Sequence, residues 1–144
     1  MTSRTVPLTR ALGLADYETT WRAMQQFTEV RDSTTPDEIW LLEHPPVFTL
    51  GLNGNPAHLL APGDIPVLHI DRGGQVTYHG PGQLVAYVML NLERRSFTPR
   101  KLVQALESAV IDTVADYGVT AAARRDAPGV YVAGAKLAAV GLRV

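Results

Sequence analysis

The residues best suited to chemistry lie in one glycine-rich segment, residues 71–83. It reads Asp-Arg-Gly-Gly-Gln-Val-Thr-Tyr-His-Gly-Pro-Gly-Gln. Glycine lets the main chain approach a ligand closely and direct several N–H groups at one point. A turn alone needs one or two glycines and none of the ligand-binding side chains between them. The segment therefore predicts a ligand-binding loop; the alternative is a glycine-rich bulge around a buried, hydrogen-bonded His79.

Two common nucleotide-binding loops are excluded by what surrounds this segment. No Gly-Lys-Ser or Gly-Lys-Thr follows the glycines, so the segment is not a phosphate-binding Walker loop. The next apolar run, residues 84–91, has the length and composition of a strand, whereas the dinucleotide-binding motif opens a helix. A loop between strands with these side chains suits a ligand that has a polar head and an apolar body.

Lys136 is the second candidate for chemistry. On a continuous strand it would share a face with Ala138, Val140, Leu142 and Val144. It is then either an edge lysine turned to water or an ammonium at the rim of a pocket. The neighbouring small residues favour the pocket: they are Ala135, Ala138, Ala139 and Gly141. An ammonium there can lower the pKa of a neighbouring acid or nucleophile, or donate a proton to a leaving group.

The segment Glu43-His44-Pro45-Pro46 predicts a rigid bend between two short strands, with a cis bond as one option. Glu43 and His44 are candidates for an acid–base pair, but one pair beside a bend is weak support for catalysis. The prolines are interpreted as structural, and the role of His44 stays open. His58 and His69 have no partner at a metal-ligand spacing, so no metal site is predicted.

The composition describes an ordinary globular domain. Of the 144 residues 46% are hydrophobic and 19% charged, and the net charge is −1. No basic field indicates nucleic acid, no apolar run is long enough to span a bilayer, and no signal-peptide core is present. A single cytoplasmic domain is predicted. The absence of cysteine excludes a disulfide framework and a cysteine nucleophile within these residues.

The elements that must position these residues follow from periodicity. One amphipathic helix is predicted over residues 14–31, and a second begins at Thr98-Pro99 and carries a buried stripe as far as Tyr117. Seven short apolar runs predict strands: 39–42, 47–50, 67–70, 84–91, 119–123, 130–132 and 137–144. The last two flank Ala133-Gly134 as a hairpin. The predicted class is α+β, with a mainly antiparallel or mixed sheet and two principal helices.

Three motifs together resemble the lipoyl(octanoyl) transferase family: residues 43–51, residues 71–83 and the run Gly134-Ala-Lys-Leu-Ala-Ala-Val-Gly141. The resemblance implies the fold of biotin and lipoate protein ligases and no cofactor. It implies transfer of an octanoyl group from octanoyl-acyl carrier protein to a lysine of a lipoyl domain. The acceptors implied are the lipoyl domains of 2-oxoacid dehydrogenase complexes and the glycine cleavage H protein, with no nucleic acid and no membrane as partner.

The resemblance also assigns residues. The implied substrate-binding residues are Arg72, Gly73, Gly74, Gln75, Val76, Thr77, Tyr78, His79, Ala139, Val140 and Gly141. Lys136 would lower the pKa of a cysteine on which the acyl group forms a thioester. That cysteine lies downstream of the match in the family, so the expectation is a single acyltransferase domain, 1–144, that lacks its C-terminal part. Such a chain is expected to be weakly stable and catalytically inactive alone.

Two alternatives remain open from the sequence. The chain can be a non-catalytic acyl-binding fragment that keeps the pocket without the nucleophile. It can also be an ATP-dependent lipoate or biotin protein ligase, which forms an acyl-adenylate and needs no cysteine. The spacing of residues 75–82 favours the transferase.

Overall fold

The computed structural model of the chain describes residues 5–52, 54–59, 62–71 and 75–144, without the side chain of His58. The main chain divides into two compact units, Met1–Asn91 and Leu92–Val144. Both mix helix and strand, which confirms the predicted α+β class. Within the described ranges, no helix has the length and apolar character needed to cross a membrane.

The described residues of the first unit form two three-stranded mixed sheets, one long helix and a short 3-10 helix (Pro56–His58). Its other elements are β1 (Leu8–Leu14), α1 (Tyr17–Val30), β2 (Glu38–Glu43), β3 (Val47–Leu50), β4 (Val67–His69), β5 (Val76–His79) and β6 (Val85–Met89). One sheet has the order β1-β2-β6 and the other β4-β3-β5. In each, the central strand is parallel to one neighbour and antiparallel to the other.

Helix α1 begins later than predicted because β1, which the sequence pattern did not predict, continues through Leu14. Leu14 pairs with Glu43 on β2, and its side chain is 62% exposed. Asp16 then caps the helix by accepting a hydrogen bond from the main-chain N–H of Thr19 at 3.0 Å. The helix buries Tyr17 against one sheet. The predicted helical stripe therefore holds from Tyr17 onward and fails at Leu14.

The second unit pairs a long helix with an antiparallel sheet of order β7-β8-β9. Its elements are α2 (Leu92–Arg95), α3 (Pro99–Ala115), β7 (Ala122–Ala123), β8 (Val130–Val132) and β9 (Ala135–Ala138). Thr98 caps α3 as predicted, since its side chain accepts from the N–H of Lys101 at 3.2 Å. The stripe was predicted to reach Tyr117, which is wrong: α3 ends at Ala115 and Tyr117 is 82% exposed.

The predicted hairpin around Ala133-Gly134 is confirmed, with a shorter second strand. Ala133 and Gly134 have φ values of 48° and 81°, as in the tight turns that match strand twist. The predicted strand 137–144 is wrong in its extent, because β9 covers Ala135–Ala138 and residues 139–144 form no strand.

Candidate functional site

The glycine-rich segment divides into two parts in the structure. Arg72, Gly73 and Gly74 lie outside the described residues. Gln75 leads into β5, which pairs antiparallel with β3. The prediction of a loop throughout is therefore wrong for Val76–His79, because these residues favour strands and β3 offers them a partner. Alternation along β5 places Thr77 and His79 on one face and Val76 and Tyr78 on the other.

Hydrogen bonds hold both ends of residues 71–75. At one end the indole Nε1 of Trp21, on α1, donates to Oδ1 of Asp71 at 3.3 Å. At the other end the main-chain N–H of Asn55 donates to Oε1 of Gln75 at 3.3 Å. These contacts hold Asp71, which lies two residues after β4, and Gln75, which lies directly before β5.

The turn after β5 depends on glycine and on Glu43. A Cβ on Gly80 would lie 2.5 Å from the hydroxyl oxygen of Tyr78, and Gly82 has a φ of 91°. The N–H of Gly82 donates to Oε1 of Glu43 at 3.2 Å. Glu43 therefore anchors this turn, while the ring of the adjacent His44 has other partners.

His44 is fully buried, and both ring nitrogens have partners. Nδ1 donates to the carbonyl oxygen of Ala15 at 2.6 Å, so in the neutral ring Nε2 accepts from the hydroxyl of Tyr87 at 2.7 Å. Burial lowers the pKa of His44, against smaller opposing effects of the Ala15 carbonyl and Asp16. The geometry therefore favours one neutral tautomer of His44. The role of this residue, which stayed open in the sequence analysis, is that of a core residue.

His79 joins this core to the candidate binding strand. Its ring stacks on Tyr17 at a centroid distance of 5.7 Å and meets His44 edge to face, also at 5.7 Å. Nδ1 of His79 lies 2.6 Å from Oε1 of Gln83, whose amide nitrogen donates to the carbonyl of Tyr78 at 3.1 Å. Because Gln83 thus presents its oxygen, Nδ1 carries the proton in neutral His79. The half-buried ring of His79 is therefore oriented by Tyr17, His44 and Gln83 together.

Lys136 lies on β9 of the second unit, and the strand register corrects its predicted neighbours. Lys136 pairs with Tyr131, whereas Ala138 pairs with Val130, so Leu137 is an extra residue in β9. Since Tyr131 and Val130 face opposite sides, Lys136 and Ala138 do not share a face, contrary to prediction. The lysine side chain is exposed, with Nζ 6.0 Å from the centre of the Tyr131 ring.

The remaining predicted binding residues, Ala139, Val140 and Gly141, follow the end of β9. Ala139 and Gly141 are exposed and Val140 is half-buried. Gln75–His79 thus lie in the first unit, whereas Lys136 and residues 139–141 lie in the second. Among the described residues no group of three or more His, Asp or Glu side chains forms a metal site.

Two residues around these positions were not predicted. Tyr87, on β6, supplies the hydroxyl for His44 from 43 positions away, and no local pattern indicates such a pair. Glu107, on α3, is 7% exposed, and its carboxylate accepts from the N–H of Gly129 at 3.0 Å. A signal for Glu107 exists in the sequence: it stands four positions after Val103 and three before Val110 on the apolar helix face.

Comparison with known proteins identifies the family of the chain. Residues 16–144 match the model of the lipoyl protein ligase A/B catalytic domain. The chain is 62% identical over 137 residues to an octanoyltransferase of Methylococcus capsulatus, covering 95% of this chain and 66% of the relative. It is 62% identical over 135 residues to an octanoyltransferase of Pseudomonas syringae pv. tomato, covering 94% of this chain and 62% of the relative. The chain thus spans somewhat less than two thirds of these relatives.

A solved structure shares the fold at much lower identity. P. falciparum LipL1 in complex with lipoate aligns with a TM-score of 0.59 and 13% identity, covering 91% of this chain and 42% of that chain. This likeness agrees with the expected ligase-type fold. With the family model matching nearly all of the sequence, the chain belongs to the lipoyl protein ligase A/B catalytic domain family.

Proposed function

We propose that this chain is the acyl-binding part of an octanoyltransferase, which moves an octanoyl group from octanoyl-acyl carrier protein to a lysine of a lipoyl domain. The observation that carries the proposal is the 62% identity, over 95% of the chain, to a curated octanoyltransferase. The candidate acceptors are the lipoyl domains of 2-oxoacid dehydrogenase complexes and of the glycine cleavage H protein.

The overall reaction exchanges one acyl bond for another. The bond between the octanoyl carbonyl carbon and the carrier sulfur breaks, and a bond from that carbon to the acceptor lysine nitrogen forms. The amine loses one proton and the departing sulfur gains one, so the carrier leaves as a thiol. In the proposed route the acyl group rests in between as a thioester on a cysteine. No redox step occurs, and no cofactor is needed.

The predicted binding residues have matching physical roles. The eight-carbon chain gains about 0.8 kcal/mol for each methylene that leaves water, and Val76 and Val140 are apolar members of the predicted binding residues. Main-chain N–H groups of residues 72–75 are proposed to stabilise the oxyanion that forms when the thioester carbonyl is attacked. The hydrogen bonds of Asp71 and Gln75, which flank residues 72–74, are consistent with this role.

Lys136 is proposed to favour the thiolate form of the cysteine, since a nearby ammonium lowers the pKa of a thiol. The 144 residues contain no cysteine. We therefore propose that this chain, by itself, binds the acyl donor and does not complete the transfer.

The test combines binding with product analysis. The purified chain is titrated with octanoyl-acyl carrier protein and, as a control, with the same carrier bearing a free thiol. The octanoyl form is expected to bind more tightly. Val140→Glu is expected to weaken binding about tenfold, or 1.4 kcal/mol, because it puts a charge against the acyl chain. Val30→Glu, at a 72% exposed position on α1, is the matched control and should bind normally.

Mass spectrometry of the chain and of an added lipoyl domain distinguishes the alternatives. Binding without an adduct on either protein supports the proposal. An octanoylated lipoyl domain formed by the chain alone would contradict the proposed lack of transfer. Release of pyrophosphate on addition of ATP and octanoate would contradict the proposed transferase and indicate an ATP-dependent ligase.

A further inference from the structure

The second unit buries a carboxylate on an otherwise apolar helix face. Glu107 on α3 is 7% exposed and shares its face with Val103, Leu106 and Val110. A charged group in such a position lowers stability unless it is hydrogen-bonded. Its partner is the main-chain N–H of Gly129, the residue before β8, which donates to Oε1 at 3.0 Å in a buried hydrogen bond.

Gly129 is in turn packed under Lys136. Its φ is 125°, a value that only glycine adopts readily. A Cβ built on it would lie 2.6 Å from the carbonyl oxygen of Ala138 and 2.8 Å from Cε of Lys136. Cε is the carbon that bears the ammonium group. Any shift of the Gly129 main chain therefore shifts the surface on which the end of the lysine side chain rests.

The ammonium of Lys136 has few other contacts that fix its position. Its side chain is exposed, and the nearest aromatic ring is that of Tyr131, at 6.0 Å from Nζ. In the described part of the second unit, the carboxylates of Glu107 and Asp126 form no ion pair with it. The proximity of Gly129 to Cε is thus a constraint on where the charge lies.

We infer that Glu107 is a positioning residue for Lys136: its carboxylate fixes the N–H of Gly129, and Gly129 supports the lysine stem. The importance of this arrangement for acyl transfer rests on the proposed function. The contacts of Glu107, Gly129 and Lys136 are independent of that proposal. A glutamine at position 107 would keep an acceptor oxygen for Gly129, and a methionine would remove it at nearly the same size.

The lysine content of the chain makes the inference measurable. Lys101 and Lys136 are the two lysines of the sequence, so NMR of the full chain labelled with ¹³C at lysine Cε gives two signals, which Lys136→Arg assigns. Glu107→Met is expected to shift the Cε signal of Lys136 and the amide signal of Gly129, and to leave Lys101 unchanged. Glu107→Gln should hold the Lys136 signal near its original position.

Asp112→Met is the matched control, since Asp112 is an exposed carboxylate on the same helix. It should move neither the Lys136 nor the Gly129 signal. An unchanged Lys136 signal in Glu107→Met, with the Gly129 amide displaced, would overturn the inference. A shift of the Lys136 signal in Glu107→Gln as large as that in Glu107→Met would overturn it as well.

A measurement on the unaltered chain covers the case in which Glu107→Met does not fold. The Gly129 amide is expected to exchange with solvent at least tenfold more slowly than the amide of Gly134 in the exposed turn. Equal exchange rates would contradict the inferred hydrogen bond. None of these readouts requires acyl binding. A chain that shows the shifts but does not bind octanoyl-acyl carrier protein contradicts the proposed function and still supports the positioning role.

Discussion

The imidazole of His44 has a carbonyl on one side and a hydroxyl on the other, and these two partners are not equivalent. The Ala15 carbonyl can only accept, which requires a proton on Nδ1. The Tyr87 hydroxyl donates to Nε2 of the neutral ring, and it would have to turn to accept a hydrogen bond from a protonated Nε2. Burial is therefore the main reason why His44 is neutral, while the Ala15 carbonyl holds the proton on Nδ1 and has a smaller opposing effect on the pKa.

A pH dependence of stability follows for this residue. Because its pKa is lowered in the folded chain, the unfolded chain binds a proton at His44 before the folded chain does. Stability from this group is fully present above the ordinary value of 6.5 and is lost as the pH falls from there to the lower folded pKa. NMR titration of the imidazole should show His44 gaining its second ring proton at a lower pH than free histidine does.

The free energy of unfolding is measured with urea above and below pH 6.5, for the unaltered chain and for a control variant. The control is His69→Gln, which removes an exposed histidine on β4. The slope of stability against pH attributed to His44 should persist in this variant. An imidazole signal of His44 that titrates like free histidine would contradict the prediction.

At the scale of elements, the β8–β9 hairpin depends on a turn that has one favourable and one unfavourable residue. Both Ala133 and Gly134 have positive φ, which strains alanine and not glycine. Ala133→Asn is expected to raise the free energy of unfolding by about 1 kcal/mol, because asparagine tolerates this conformation. Gly134→Ala should lower it by about the same amount, although nothing lies within 4 Å of the added Cβ. Urea unfolding measures both, and a destabilised Ala133→Asn chain would refute the turn assignment.

The elements that carry their own local signals are those that the sequence predicted well. Helix α3 has a capping threonine, a proline at its first position and an apolar stripe, and the β8–β9 hairpin has its turn pair. Strand β1 lacks any such signal. All seven of its residues are exposed, so buried and exposed positions do not alternate along it. Strand β5 was missed for a different reason, since its flanking glycines indicate a loop, and only the pairing with β3 makes it a strand.

The candidate site was predictable in residue type and less so in geometry. Lys136 and His79 stood out by their surroundings in the sequence. The extra residue Leu137, which turns Lys136 away from the face of Ala138, becomes visible only in the pairing of β9 with β8. The orientation of His79 likewise depends on Tyr17, 62 positions away in the chain. Such contacts follow from tertiary packing, and a pattern along the chain does not contain them.

For the molecule as a whole, the surface combines exposed apolar side chains with a net charge of only −1, a combination that favours self-association. Leu137 is 51% exposed on β9, which is an edge strand of its described sheet. Leu137→Glu is expected to lower the fraction of chain in oligomers by several-fold, because a charged edge resists strand pairing and the net charge moves further from zero. Sedimentation velocity over a range of concentrations measures this. Tyr117→Glu makes the same change of charge at an 82% exposed position outside the strands, and it should have little effect. Equal effects of the two substitutions would show that net charge, and not the strand edge, governs association.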